Sequence, residues 1–322
     1  MDAARAMAED CRVVILDTIV PVFLIVALGA WWQRRSFVSP GFLKEANRLT
    51  YWVGLPALLF GQLAPALPSA AGVRPVLEVM LVATLLMVGA GYVLAGLGRL
   101  PGPVVGTFVQ GAFRGNLAFV GLPVVFGLPD TELGHGLTLH QAAVVVVAPV
   151  MLLYNLAGVL VLLASQHRLG LGMIGPLARQ LAVTPPFLAI MAGMLVALCH
   201  WHLPVALARA LDALGEMTLP LGLLCVGGAL VTSDLAAGWR RTGGAALAKT
   251  VLAPAIGWLC GRWWWLDPLA LKLVLLFMAT PTANVSYTLA LELKGDAQLA
   301  SGSIAVSVLT SVVTLAVIVG WF

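Results

Sequence analysis

The sequence predicts an all-α membrane protein of ten transmembrane helices, arranged as two inverted five-helix repeats with broken, crossing helices four and nine. Three observations predict it. Of 322 residues, 61% are hydrophobic and 10% charged, with a mean hydropathy of +1.00; a soluble domain is about 45–50% apolar and about 25% charged. Apolar runs near the ~20 residues needed to cross a bilayer recur throughout the chain. Polar, Gly- and Pro-rich interruptions occupy corresponding positions in the two halves.

The ten spans fall at approximately 13–33, 42–64, 75–97, 103–126, 139–164, 185–203, 208–231, 244–264, 268–292 and 298–320. Val13 to Trp32 is too long for a signal h-region and reads as a retained first span. The loops are short except for 165–184, a cytoplasmic connection in which 165–180 suits an interfacial helix. It separates a first five-helix repeat (1–164) from a second (185–322). Ten Lys and Arg residues flank the loops after odd-numbered spans, against six on the other side. That bias places both termini outside, in the periplasm if the membrane is a bacterial inner membrane. Five spans per repeat invert the second relative to the first, an architecture common among secondary transporters. Pro56 and Pro220 then become equivalent in spans two and seven, as do Pro123 and Pro281 in spans four and nine.

Span four carries Arg114, Gly115, Asn116, Gly121 and Pro123; span nine carries Thr280, Pro281, Thr282, Asn284 and Ser286. Gly and Pro weaken a helix. A freed backbone group costs several kcal/mol in lipid unless it faces protein or water. The spans are therefore expected to break at Gly115, Gly121, Pro123 and Pro281. Each break leaves a half-helix N-terminus pointing inward, which favours anions. With Asn116 and Asn284 as donors and Arg114 nearby, a carboxylate site is expected there, with Thr282 and Ser286 beside it. Arg114 reads either as a substrate or gating residue or as a paired structural one, and Asn284 also suits a helix cap.

Among the other intramembrane ionisable residues, Asp17, Glu216 and Lys249 are candidates for coupling or gating, or for ion pairs of Lys249 with either acid. Glu78 and Asp212 are expected to reach the interface. Cys199, His200 and His202 lack the second ligand cluster of a zinc site. No metal or other cofactor is expected. The four Cys show no CxxC spacing, and the scattered basic residues argue against nucleic acid. "RWWWLD" (262–267) reads as an interfacial aromatic belt.

Four stretches, "RGNLAFVGLPVVFGL", "LPLGLLCVGGAL", "KTVLAPAIGW" and "ATPTANVSYTLALELKGDAQLASGSIAVSVLTSVVTL", resemble the auxin efflux carrier family. The resemblance covers nearly the whole chain. It implies ten spans split into a scaffold and a transport part, an X-shaped crossing of spans four and nine, and an organic acid bound beside it. The family's substrates include malonate, malate and auxin. Asn116, seven residues before Pro123, matches the family's asparagine before a crossover proline, and Pro281 matches the second crossover proline. Plant members have a further proline where this chain has Ser286. The short central loop matches the compact bacterial form. The function expected is secondary transport of a small organic anion by alternating access, with no enzymatic activity. A membrane-embedded enzyme using intramembrane carboxylates, or a channel or sensor of the same fold, are the alternatives. The expected partners are the acid and the lipid bilayer, with a proton or sodium ion for coupling and a homodimer both left open.

Overall fold

The computed structural model describes residues 19–64, 70–134, 136–166, 185–231 and 238–321. Asp17 and nearly all of the 165–184 connection lie outside the described residues. The described architecture is α-helical and membrane-type. Five stretches are long and apolar enough to cross a membrane, namely 72–97, 139–165, 205–231, 239–263 and 297–321.

The first helix is α1 (Ile19–Arg34). Then α2 (Pro40–Leu49) starts at a Ser39 cap, whose hydroxyl accepts from the Phe42 N–H at 3.0 Å, and carries Pro40 at its first position. A wide π turn at Thr50–Gly54 leads into α3 (Leu55–Leu63). Next come α4 (Ala70–Leu97) and α5 (Gly102–Phe113). After an interruption, a second π turn (Leu117–Gly121) continues as α6 (Leu122–Phe126).

A short antiparallel hairpin follows, with strands β1 (Glu132–Gly134) and β2 (Leu137–Thr138). It adds to the all-α expectation, and its turn uses the positive φ of Gly136 (74°). Helix α7 (Leu139–Ser165) begins with a capping box between Thr138 and Gln141.

The later helices are α8 (Pro185–Leu198), α9 (Val205–Glu216), α10 (Thr218–Val231) and α11 (Trp239–Leu247). A third π turn (Ala248–Leu252) joins α11 to α12 (Ala253–Trp263). The chain continues through α13 (Pro268–Ala279), α14 (Val285–Glu292) and α15 (Ala297–Trp321).

The three π turns share a cause. Each is followed by a proline at the second position of the next helix: Pro56, Pro123 and Pro254. Proline lacks an N–H and its ring clashes with the carbonyl four residues back. A π turn carries one extra residue and removes that conflict without ending the helix. This corrects one expectation: span four does not break at Pro123 or Gly121. The π turn absorbs Pro123, and helix runs unbroken from Leu117 to Phe126. The interruption lies earlier, at 114–116.

Packing sorts the helices into two groups. In one, α3 packs on α8 and α9, and α10 packs on α2. There, a Cβ added to Gly227 of α10 would fall on the Val26 carbonyl of α1, and one on Gly29 would fall on the Leu224 backbone. These glycines let the two backbones touch. In the other group, α5 packs on α4 and α7, α12 on α4 and α13, and α15 on α11.

Gly227→Val is therefore expected to lower stability by about 1–3 kcal/mol or more through overpacking. Thermal unfolding of detergent-solubilised protein measures it, and an unchanged midpoint would refute the α1–α10 contact.

Candidate functional site

At the end of α5 the backbone leaves the helical region: Arg114 has φ −80° and ψ 103°, and Asn116 has φ −82° and ψ 71°. At the end of α13 it does so again, with Thr280 at φ −56° and ψ 147°. The two unwound segments meet. Asn116 N–H donates to the Pro281 carbonyl at 2.7 Å, and Ala283 N–H donates to the Arg114 carbonyl at 3.0 Å. Together they form an isolated antiparallel bridge that sets Gly115 against Thr282. In a bridge of this kind the flanking residues make the bonds and the facing Cα atoms approach to about 4.5 Å. Gly115 suits that approach, because a Cβ there would run into the Thr280 hydroxyl and lie 3.1 Å from Lys249 Cε.

Side chains tie the bridge to its surroundings. The Thr282 hydroxyl donates to the Gly111 carbonyl at 2.8 Å, and its N–H donates to Ser307 Oγ of α15 at 2.9 Å. Gln110 Nε2 donates to the Ser286 carbonyl at 3.0 Å, linking α5 to α14. Thr280 turns its hydroxyl back onto the Phe277 carbonyl at 2.7 Å. Gly121 permits a close approach of Phe277, 3.1 Å from where a Cβ would sit. The Tyr154 hydroxyl of α7 is buried without a hydrogen-bond partner.

Both half-helices begin here. Asn116 caps the first, its Oδ1 accepting from the Phe119 N–H at 3.2 Å. That bond fixes the amide and leaves Nδ2 buried without a partner. Asn284 stands at the start of α14 but makes no capping bond, and its Oδ1 is buried and unpartnered. Ser286 Oγ, Gln110 Oε1, Ser303 Oγ and Arg114 Nη1 are likewise unpartnered. With the Tyr154 hydroxyl, seven uncommitted polar atoms thus come from Gln110, Arg114, Asn116, Tyr154, Asn284, Ser286 and Ser303, on the segments that form or flank the crossing.

Two cations are buried here. Arg114 is 4% exposed and donates through Nη2 to Asn155 Oδ1 of α7. Lys249, fully buried, donates to the Met278 carbonyl at the end of α13 and packs against Gly115. Neither forms an ion pair among the described residues, and no described Asp or Glu is buried. The expected Glu216–Lys249 pair is not formed: Glu216 is exposed at the end of α9 while Lys249 is enclosed at the crossing. Its other expected partner, Asp17, is outside the described residues. Glu78 bonds Arg74 at 2.7 Å and the Trp264 indole at 3.2 Å, on an exposed face. Asp212 is exposed. No group of three or more His, Cys, Asp or Glu among the described residues is arranged to hold a metal.

The bundle is thus interrupted by two mutually paired breaks, with uncommitted polar atoms around them. The family model described as membrane transport protein matches residues 14–319. The chain belongs to the membrane transport protein family. This is the family of the auxin efflux carriers, to which the sequence motifs pointed. Comparison with curated proteins finds no match. The protein is an integral membrane transporter of a small-molecule substrate, working within a lipid bilayer, and it is not an enzyme.

Several residues of the transporter's crossing escaped the sequence reading. Asn155 and Gln110 are single amides in otherwise apolar stretches, and an unexplained amide within a span was the available signal. Ser303 and Ser307 repeat at i, i+4 on one face of α15, a weaker one.

Thr282→Val keeps the side chain's shape but leaves the Gly111 carbonyl buried without its donor. It is expected to cost about 1–3 kcal/mol, seen as a lower thermal midpoint. A midpoint equal to the parent's would show that the bond does not hold the crossing.

Proposed function

We propose that the transporter carries a small organic acid anion, binding its carboxylate at the crossing of the two broken spans. The observation that carries this reading is the pair of buried cations, Arg114 and Lys249, held among the described residues by neutral partners beside unpartnered donors. An isolated buried charge costs several kcal/mol. An incoming carboxylate offsets that cost and takes up Arg114 Nη1 and Asn116 Nδ2. Asn284 and Ser286 supply further polar atoms, while Gly115, Pro281 and Thr282 hold the geometry. A malonate- or malate-like dicarboxylate suits two cations. A monocarboxylate of the auxin type is the other acid class to be tested.

In this reading the chain makes ten spans as two inverted repeats, 1–164 and 185–322, joined by 165–184. Substrate passes by alternating access, as the group built on α4–α7 and α11–α15 moves against the group built on α1–α3 and α8–α10. The membrane is a bacterial inner membrane with both termini outside. Lys249 serves in gating or coupling, with a proton or sodium ion as the candidate coupling ion. A homodimer is the assembly to be tested.

Counterflow of labelled malonate into proteoliposomes tests the function, and saturable exchange is expected where a channel would give none. Arg114→Gln and Asn116→Ala should each lower that exchange at least about tenfold, about 1.4 kcal/mol of lost binding, with normal expression and folding. Unchanged kinetics in both variants would remove the crossing as the binding site.

A further inference from the structure

The partner of Arg114 is chemically unusual. The guanidinium is buried, yet among the described residues its side-chain hydrogen-bond acceptor is the neutral amide of Asn155. Around that amide, α7 is shaped to fit. Three residues on, Gly158 leaves a gap: a Cβ there would lie 2.9 Å from Arg114 Nη1 and 3.6 Å from Gln110 Oε1. Tyr154 meets Phe113 edge-on, with ring centroids 5.9 Å apart, which fixes the spacing of α5 and α7. The result is a slot with a glycine wall and an amide handle, and Asn155 itself is only partly buried.

Aspartate has the same size as asparagine and would grip a guanidinium more strongly, with two charge-assisted bonds. It would also cancel the charge, leaving Arg114 satisfied whether or not an anion were present. Asparagine fixes the orientation of the guanidinium and leaves its charge intact. The other cation at the crossing is treated the same way, since Lys249 is held by the Met278 backbone carbonyl. Both cations at the crossing, Arg114 and Lys249, are therefore anchored by dipoles, and no described Asp or Glu is buried beside them.

We propose that Asn155 is a specificity-determining residue of the transporter. It orients Arg114 without neutralising it, so that the carboxylate completing the guanidinium is that of the transported anion. This rests on the organic-anion function proposed above.

Asn155→Asp and Asn155→Ala separate this role from a structural one. A structural role ranks alanine as the worse change, because aspartate keeps the hydrogen bond and alanine deletes it. The proposal ranks them the other way. Asn155→Asp should lose malonate counterflow at least about tenfold, the scale of effect of one added charge at a buried ion-binding group. It should also lose stabilisation by malonate in thermal shift, with a ligand-free midpoint at or above that of the parent. Asn155→Ala should keep its maximal rate and show a KM raised about three- to tenfold, the loss of a single positioning hydrogen bond. Should Asn155→Asp not be recovered folded, Asn155→Glu carries the same charge and is read the same way. Malonate exchange by the acidic variant at the parent's rate would overturn the proposal. So would an alanine variant as inactive as the acidic one. A parent protein that neither exchanges nor is stabilised by malonate or acetate would overturn the organic-anion function itself, and this proposal with it.

Discussion

Two unwound backbone segments inside an apolar bundle must find hydrogen-bond partners, and in this transporter they find each other. Each unsatisfied peptide group would cost several kcal/mol in such surroundings. The bonds from Asn116 N–H to the Pro281 carbonyl and from Ala283 N–H to the Arg114 carbonyl remove two donors and two acceptors from that count. Because backbone satisfies backbone, the side chains are released. Asn116 uses one end of its amide to cap a half-helix and keeps the other open. Arg114 leaves α5 just where its carbonyl enters the bridge, so its side chain projects into the α7 slot. The bridge thus sets both the fold of the crossing and the supply of uncommitted polar atoms around it.

Pro123 and Pro281 show how one residue type does two different jobs. Pro281 lies outside any helix, where a residue without an N–H breaks no helical bond while its carbonyl accepts from Asn116. At Pro123 the helix continues, because the π turn before it has already moved the clashing carbonyl aside. Pro56 and Pro254 repeat the second arrangement. Lys249 lies within the π turn that precedes Pro254, and from there its ammonium reaches the end of α13. A local accommodation of proline in one helix thereby delivers a cation to the break in another.

This explains which features could be read from the sequence. The interruptions at Gly115, Asn116 and Pro281 were legible because Gly, Asn and Pro are poor helix formers in an apolar run and stand out singly. The exact point at which span four opens was not, because the identity of Pro123 does not say whether the preceding turn will widen or break. The surroundings of Arg114 were harder still. Asn155 and Gly158 lie 41 and 44 residues from Arg114, in a helix whose apolar pattern conceals them. Lys249 was visible as an intramembrane cation, but its acceptor is a backbone carbonyl, which every residue carries and no sequence marks. Sequence reasoning looked to Asp17 or Glu216 for a counter-charge; Asp17 lies outside the described residues, and where Glu216 was expected Lys249 meets a dipole.

In the proposed function, anchoring the two cations by dipoles, with no described Asp or Glu buried beside them, suits a site that must release what it binds. A buried carboxylate beside Arg114 or Lys249 would offset the desolvation of the cation in every state of the protein. An arriving anion would then have to displace it, at a cost comparable to its own gain. A carbonyl or carboxamide satisfies donor geometry while leaving most of the charge uncompensated. Under the organic-anion function proposed above, the remaining imbalance favours an anion wherever the crossing is accessible. It also limits how tightly the anion is held, because part of the gain goes to repaying the exposed charge rather than to new contacts. A transport step requires that limit, since a ligand bound too strongly to one conformation holds the protein there. Arg114 and Lys249, anchored by Asn155 and by the end of α13, place two such unbalanced charges at the junction of the broken helices. Their positions are fixed by the same hydrogen bonds that hold that junction together.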